Sequence, residues 1–334
     1  MKEMDFMLEL AGELRREVAQ SLRGTNLPLP VSEFYEASRH AGTDVFASQL
    51  PDLVAGMREM EESKEFGPDF VNAIYITTGV GYYLSSSFIG PLKLTNERHE
   101  YVAVLGGIAN LITSLFDVLV DREYLKVDDL ITRDALRSIL SSNDLAVPKS
   151  RQANKIAYCW WVMVSRYLSM VQSLQVEHRS DSQADCLRNL CLKMFDSHLA
   201  SRNSSRNSYL LLRRKVLPIL IMLQGGFLVQ KNYDPKLGES LWRKVYRIAE
   251  LIAILDDIVD LEKDIDNDHP NLFAPCGMTA SGMVAYFDMY RNRIFSIYSA
   301  LDLQDVDLGG WHTRRKYSQL VIPLLISSWV DQCR

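Results

Sequence analysis

The chain has 334 residues, 47% of them hydrophobic and 24% charged, with 17 glycines, 11 prolines and a formal net charge of −5. So little Gly and Pro argues against an all-β fold, which needs many tight turns. The acidic balance argues against a nucleic-acid partner, whose phosphates call for clustered Lys and Arg, yet leaves an anionic small substrate admissible if a divalent metal reverses the local sign.

Apolar residues recur at helical spacing almost throughout, and no period-2 segment runs beyond a few residues. Helices are predicted near 2–22, 46–63, 67–89, 96–124, 128–142, 151–178, 182–200, 207–230, 236–266, 279–302 and 312–331. The first, MKEMDFMLELAGELRREV, carries acids within its apolar stretch and lacks a small-residue cleavage site, so it reads as an amphipathic helix and not a signal peptide. Pro28 and Pro30 end it, and Gly90–Pro91 ends the third helix. Pro148 closes a polar loop, and Asp234–Pro235 opens a long helix as cap and first-turn residue. Asn267 to Gly277, with two prolines, reads as a loop. The expected architecture is all-α: one domain over residues 1–334, a bundle of roughly ten helices around buried central ones. Val102–Val120 and Ile248–Val259 look central because apolar residues surround them on nearly all sides.

The cysteines, Cys159, Cys186, Cys191, Cys276 and Cys333, are odd in number and lack the short spacing of zinc or redox motifs. They read as reduced, mostly buried thiols of a cytoplasmic protein. No transmembrane segment is expected. The best candidate, Val216 to Val229, is short and holds Pro218 and the Gly225–Gly226 pair.

Both central helices carry acids. In LFDVLVD, Asp117 and Asp121 stand four residues apart, one turn above the other on one face. Asp117 is set among Leu115, Phe116, Val118, Leu119 and Val120, where a carboxylate is costly unless something offsets its desolvation. In LDDIVDLEKD, Asp256, Asp260 and Asp264 form an i, i+4, i+8 ladder with Asp257 beside it. Stacked carboxylates repel, and a hard cation removes that cost. Magnesium suits, because it takes one or two carboxylates per ion and completes its octahedron with water and phosphate oxygens. A solvated helix face is the competing reading, and it is the natural one for Glu262 and Lys263. DIDND at 264–268 imitates a calcium loop, but His269 stands where Gly is required and Pro275 where the bidentate Glu is required. A di-iron bundle would need Glu-x-x-His pairs, which are missing.

The two acidic helices resemble those of the class I isoprenoid synthases, which include prenyltransferases, terpene cyclases and squalene or phytoene synthases. DVLVD resembles the first DDxxD motif, with Val118 in place of its second Asp. DDIVD at 256–260 resembles the second DDxxD of prenyltransferases, and DDIVDLEKD also resembles the metal-binding pattern of cyclases. RRKVLPILIMLQGG, residues 213–226, matches a helix that carries a diphosphate-contacting Lys or Arg in these families. DVLVD and the KVLP stretch also resemble the tetraprenyl-β-curcumene synthase group. The resemblance implies an all-α bundle with a central apolar cavity. It implies three Mg2+ ions held by Asp117, Asp121, Asp256, Asp257, Asp260 and Asp264, with Arg213, Arg214 and Lys215 on the diphosphate of an isoprenyl substrate. A homodimer is a further family habit.

Ionising an allylic diphosphate needs cations on the leaving group and a dry, aromatic-lined cavity for the carbocation. Tyr82, Tyr83, Phe88, Phe116, Trp160 and Trp161 are candidates for the lining, against plain core packing. The Arg-Tyr pair that closes many cyclases has its nearest match in Arg315 and Tyr317, within Arg314-Arg315-Lys316-Tyr317, with Arg291 and Arg293 as alternatives. A prenyltransferase would show Gly-Gly-Lys-Arg near the N-terminus and Arg-Arg after the first motif, and neither is present. The expected activity is therefore a terpene cyclase acting on farnesyl, geranylgeranyl or a longer diphosphate. An isoprenyl diphosphate synthase, or a non-catalytic partner subunit of degenerate synthase fold, is the alternative.

Overall fold

In the computed structural model, the residues described are 2–21, 30–62, 66–121, 138, 155–178, 181–203, 208–230, 233–266, 271–273, 279–300 and 313–332. Among them the fold is all-α, without a strand. The helices are α1 (Lys2–Ser21), α2 (Val31–Gln49), α3 (Pro51–Glu61), α4 (Gly67–Ile89), α5 (Asn96–Asp121), α6 (Lys155–His178), α7 (Asp181–Asn203), α8 (Ser208–Leu228), α9 (Pro235–Asp266), α10 (Ala280–Ala300) and α11 (Thr313–Gln332). A 3-10 turn at Gly90–Leu92 follows α4. The predicted helix at 128–142 (apart from residue 138), Pro28 and Pro148 lie outside the described residues, as does most of the predicted loop 267–277.

One expected boundary is wrong. The helix predicted over 46–63 is two helices, broken at Leu50, whose φ of −131° is not helical, with Pro51 opening α3. Most of α2 was read as non-helical because its buried face, Phe34, Ser38, Ala41, Gly42 and Val45, is largely small. Such a stripe carries little hydrophobic signal.

The chain groups into two compact units, each drawn from separate stretches of sequence: residues 32–193 with 220–241, and residues 1–31 with 194–219 and 242–334. The first unit is organised on α4. A Cβ at Gly79 would lie 1.8 Å from the Ser38 carbonyl oxygen, and one at Gly42 2.0 Å from that of Tyr75. A Cβ at Gly81 would lie 2.4 Å from Asn110 Cβ, and one at Gly106 2.2 Å from Ser85 Cβ. Backbones this close exclude any side chain. The pairings 77 with 110, 81 with 106 and 85 with 102 step evenly in opposite directions, so α4 and α5 run antiparallel. Asn110 Nδ2 donates to the Thr77 carbonyl at 2.8 Å, Ser85 Oγ to that of Val102 at 3.2 Å, and Tyr82 OH to Glu100 at 2.6 Å. The Trp160 indole of α6 donates to the Ile112 carbonyl at 2.9 Å and its ring packs on Phe116.

Tyr82, Tyr83, Phe88, Phe116, Trp160 and Trp161 are all buried, and several pack ring on ring. Among the described residues the nearest approach to a membrane span lies in α5, not in the Val216–Val229 stretch. Its Asn96–Leu119 span is long and apolar enough to cross a membrane by length and composition, but 78% of the qualifying window is buried within the protein. The Gly225–Gly226 pair of α8 admits neighbours: a Cβ at Gly226 would lie 2.4 Å from Ile89. The helix runs unbroken through Pro218.

The second unit is built on α9. Leu251, Ile254, Leu255, Ile258 and Leu261 are fully buried against α1, α10 and α11, where Leu14, Met283, Ile294 and Ile326 belong to the same core. The rim of α1 carries ion pairs, Arg15 with Glu262 at 3.0 Å and Glu17 with Arg291 at 2.5 Å.

Gly79→Ala should lower the unfolding midpoint in urea by the equivalent of about 1–3 kcal/mol or more, as overpacking does. Gly56→Ala in α3, where a Cβ meets nothing within 4 Å, should raise it by roughly 0.5–1 kcal/mol.

Candidate functional site

The second unit brings four of the sequence-predicted residues together. Lys215 lies on α8, three residues before Pro218, on a stretch whose neighbours Val216 and Leu217 are buried. Its ammonium donates to Asp256 Oδ2 at 2.6 Å and also to Asp257 Oδ1. The two acids are consecutive on α9 and differ sharply in setting. The Asp256 side chain is 42% exposed, and that of Asp257 is 2% exposed. The helical phase explains this. Asp257 shares its face with Leu261 and Ile265, both buried, whereas Asp256 shares its face with Asp260 and Asp264, both half-buried.

Asp257 has work for both oxygens, since Oδ2 accepts from the Leu272 backbone N–H at 2.8 Å. The Asp257 backbone carbonyl in turn accepts from Asn271 Nδ2 at 2.8 Å, and the same amide nitrogen donates to Asp264 Oδ2 at 2.8 Å. Asn271 Oδ1 accepts from the Phe273 N–H at 3.0 Å. Asn271, Leu272 and Phe273 are fully buried. The last turns of α9 are thus fastened to the segment that follows them. Sequence reasoning missed Asn271, because a proline-bearing polar stretch reads as solvated loop. The available signal was the Leu272–Phe273 pair, an apolar anchor out of place in such a loop.

Burial opposes the charge on Lys215, but the fields of Asp256 and Asp257 outweigh it and hold the ammonium well above its ordinary value. Burial pushes the Asp257 carboxyl up, partly offset by Lys215. Burial also pushes Asp264 up to about 6, against the Asn271 hydrogen bond and with help from Asp257 and Asp260.

The remaining predicted residues are placed as follows. Arg213 and Arg214 are half-buried on α8, and Arg214 is close enough to Lys215 to disfavour its charge. Asp117 is half-buried on α5, in the other compact unit. Asp121 ends α5, and Arg315 and Tyr317 lie in the first turns of α11, but their side chains lie outside the described residues. Arg291 and Arg293, the alternatives for lid closure, are engaged. Arg291 pairs with Glu17, and Arg293 grips the buried Glu250 through both Nε and Nη2, the latter at 2.7 Å.

Among the described residues no three His, Cys, Asp or Glu side chains converge on a point that could hold a metal. The donor set of α9 nevertheless suits magnesium. It consists of carboxylates alone, and an ion of this kind needs only one or two of them beside water and phosphate oxygens. Asp256, Asp260 and Asp264 present that chemistry on a half-buried face. Asp257 fits poorly, since both its oxygens already accept hydrogen bonds from protein groups. No known protein-family model matches this chain, and no curated protein matches it in sequence.

The raised Asp264 value has a consequence for stability. A carboxyl that holds its proton more tightly folded than unfolded stabilises the fold fully below its unfolded value of 3.8, and that contribution fades as pH rises through about 6. Without metal, Asp264→Asn should therefore raise the unfolding midpoint over wild type above about pH 7, with the gain shrinking toward pH 4. An equal gain at both ends would remove the assignment.

Proposed function

We propose that the protein is a class I terpene cyclase, which ionises a linear isoprenyl diphosphate and releases a cyclic terpene and diphosphate. The observation that carries the reading is the pairing of a basic helix with an aspartate ladder: Lys215 of α8 lies on Asp256 and Asp257 of α9. This combination of one cation and stacked carboxylates suits a polyanion that arrives with metal. Asp256, Asp257, Asp260 and Asp264 outnumber Lys215 and Arg214, so an unaccompanied diphosphate would be repelled.

In this reading Asp256, Asp260 and Asp264 would hold magnesium, with Asp117 and Asp121 as the second aspartate pair. The bound metal would supply Lewis-acid neutralisation of the departing diphosphate. Lys215, with Arg213 and Arg214, binds and orients the diphosphate oxygens as charge builds on them. Arg315 and Tyr317 are the proposed closing pair. The substrate class is an isoprenyl diphosphate of farnesyl, geranylgeranyl or greater length, and the compartment is the cytoplasm. The resemblance supports a cyclase over a chain-elongating enzyme, because the sequence carries tools for one diphosphate only.

Purified protein incubated with Mg2+ and geranyl, farnesyl or geranylgeranyl diphosphate should yield hydrocarbon or alcohol without a co-substrate, read by gas chromatography. A longer diphosphate formed only with isopentenyl diphosphate would make it a prenyltransferase. No turnover of any substrate would leave the non-catalytic partner. Asp256→Ala and Asp117→Ala should each cut turnover by roughly 100-fold or more while helical circular dichroism is retained. Full activity in both would refute the metal assignment.

A further inference from the structure

We propose that Asp257 is a positioning residue: it carries Lys215 on one carboxylate oxygen and the Asn271–Phe273 segment on the other, leaving metal ligation to the face of Asp256, Asp260 and Asp264. The half of the proposal that concerns metal rests on the cyclase reading, and the half that concerns Lys215 stands on geometry alone.

Helical phase separates the roles. Neighbours on an α-helix point about 100° apart, so two consecutive acids serve one ion less readily than residues a turn apart. Asp256 continues to Asp260 and Asp264, while Asp257 continues to Leu261 and Ile265 in the core. Occupancy separates them again. The Asp257 oxygens accept from Lys215 and from the Leu272 N–H, a backbone donor that has no freedom to leave. To ligate an ion through the lone pairs these donors leave, Asp257 would have to admit it where the side chain is only 2% exposed, or release a donor at the cost of an unsatisfied polar group. Asp256 pays no such penalty, being substantially exposed and hydrogen-bonded to a flexible side chain.

The arrangement has a mechanical consequence. When Asp256 turns to a metal, Lys215 loses one of its two carboxylates. Asp257 remains as its anchor, so the ammonium stays beside the ladder rather than swinging into solvent. Lys215 is then held at the edge of the ion site, where an anion bridging the metal would meet it.

Acylation of lysines by acetic anhydride, quantified by peptide mass spectrometry, tests this with Mn2+ binding followed by electron paramagnetic resonance. Without metal, wild-type Lys215 should react far more slowly than the exposed Lys236 and Lys244. Asp257→Asn should raise its rate roughly tenfold, as loss of one charged partner frees the amine, and leave the rates of the other two unchanged. Asp257→Asn should retain Mn2+ affinity within about twofold, while Asp256→Asn weakens it roughly tenfold or more. Equal loss of Mn2+ affinity in both variants, or an unchanged Lys215 rate in Asp257→Asn, overturns the proposal. If Asp257→Asn does not fold, the wild type still decides. Saturating Mg2+ should leave Lys215 slower than Lys244, and a rise to the Lys244 rate would mean that the metal had taken Asp257. A wild type that binds no Mn2+ sinks the cyclase reading, while the metal-free acylation rates still decide whether Asp257 holds Lys215.

Discussion

The ion pair of half-buried Lys215 with buried Asp257 is the constraint on which the candidate site depends. Burial costs each charge several kcal/mol, and their mutual attraction repays it only when the remaining hydrogen-bonding positions are also filled. Here they are filled from two directions, by Asp256 on the ammonium and by the Leu272 N–H on the carboxylate. Removing Lys215 would leave the buried Asp257 with the Leu272 N–H but no counter-charge of its own, a loss that typically costs about 3–5 kcal/mol. The pair therefore fixes α8, α9 and the segment after α9 relative to one another within their compact unit. Asn271 extends the same lock by about two turns to Asp264. What the hydrophobic core of α9 does for bulk stability, this network does for the positions of individual polar atoms.

The two compact units meet the packing problem differently. In the unit organised on α4, glycines bring backbones close, and hydroxyls and amides such as Ser85 and Asn110 satisfy carbonyls across the helix pairs. Such interfaces leave little room to slide, because a shift of one residue would drive a side chain into a backbone. In the unit organised on α9, large aliphatic side chains fill the core and arginine–carboxylate pairs decorate its rim. Glu250 is the exception, a buried carboxylate reached by Arg293 from a half-exposed position. Arg15 with Glu262, Glu17 with Arg291 and Arg293 with Glu250 each fasten one helix of that unit to another.

The sequence made much of the fold legible, because long amphipathic and all-apolar stretches leave no doubt about helix. It failed where the signal was chemically quiet. The middle of the buried face of α2 is Ser38, Ala41 and Gly42, which gives periodicity little to show, and the break at Leu50 is marked in the sequence by Pro51 alone, a residue that can also sit inside a helix, as Pro218 does. Nothing local in the sequence shows that Gly226 is where Ile89 and Leu92 come close to α8, because that contact is tertiary. For the site, the i, i+4, i+8 spacing correctly put Asp256, Asp260 and Asp264 on one face. The same helical arithmetic puts Asp257 with Leu261 and Ile265, and grouping it with the ligands set that phase aside in favour of a motif. Asn271 lay in a stretch without periodicity, where its part in the network depends on tertiary contact alone.

Charge balance is the last link between this geometry and the proposed chemistry. A lysine flanked by two aspartates offers an anion little net attraction, since the field of each carboxylate opposes it at nearly the same distance. The neighbouring Asp260 and Asp264 deepen that deficit, and Asp264 is held at about 6 chiefly by burial, with Asp257 and Asp260 adding to it. A divalent cation on that half-buried face would reverse the sign, favour the ionised form of Asp264 and leave Lys215 with charge to spare. Binding of anion and cation would then be mutually dependent without any movement of the helices, because each removes the electrostatic obstacle to the other. An acidic ladder with one anchored lysine at its side is thus suited to a diphosphate that enters with its metal, and poorly suited to one that enters without it.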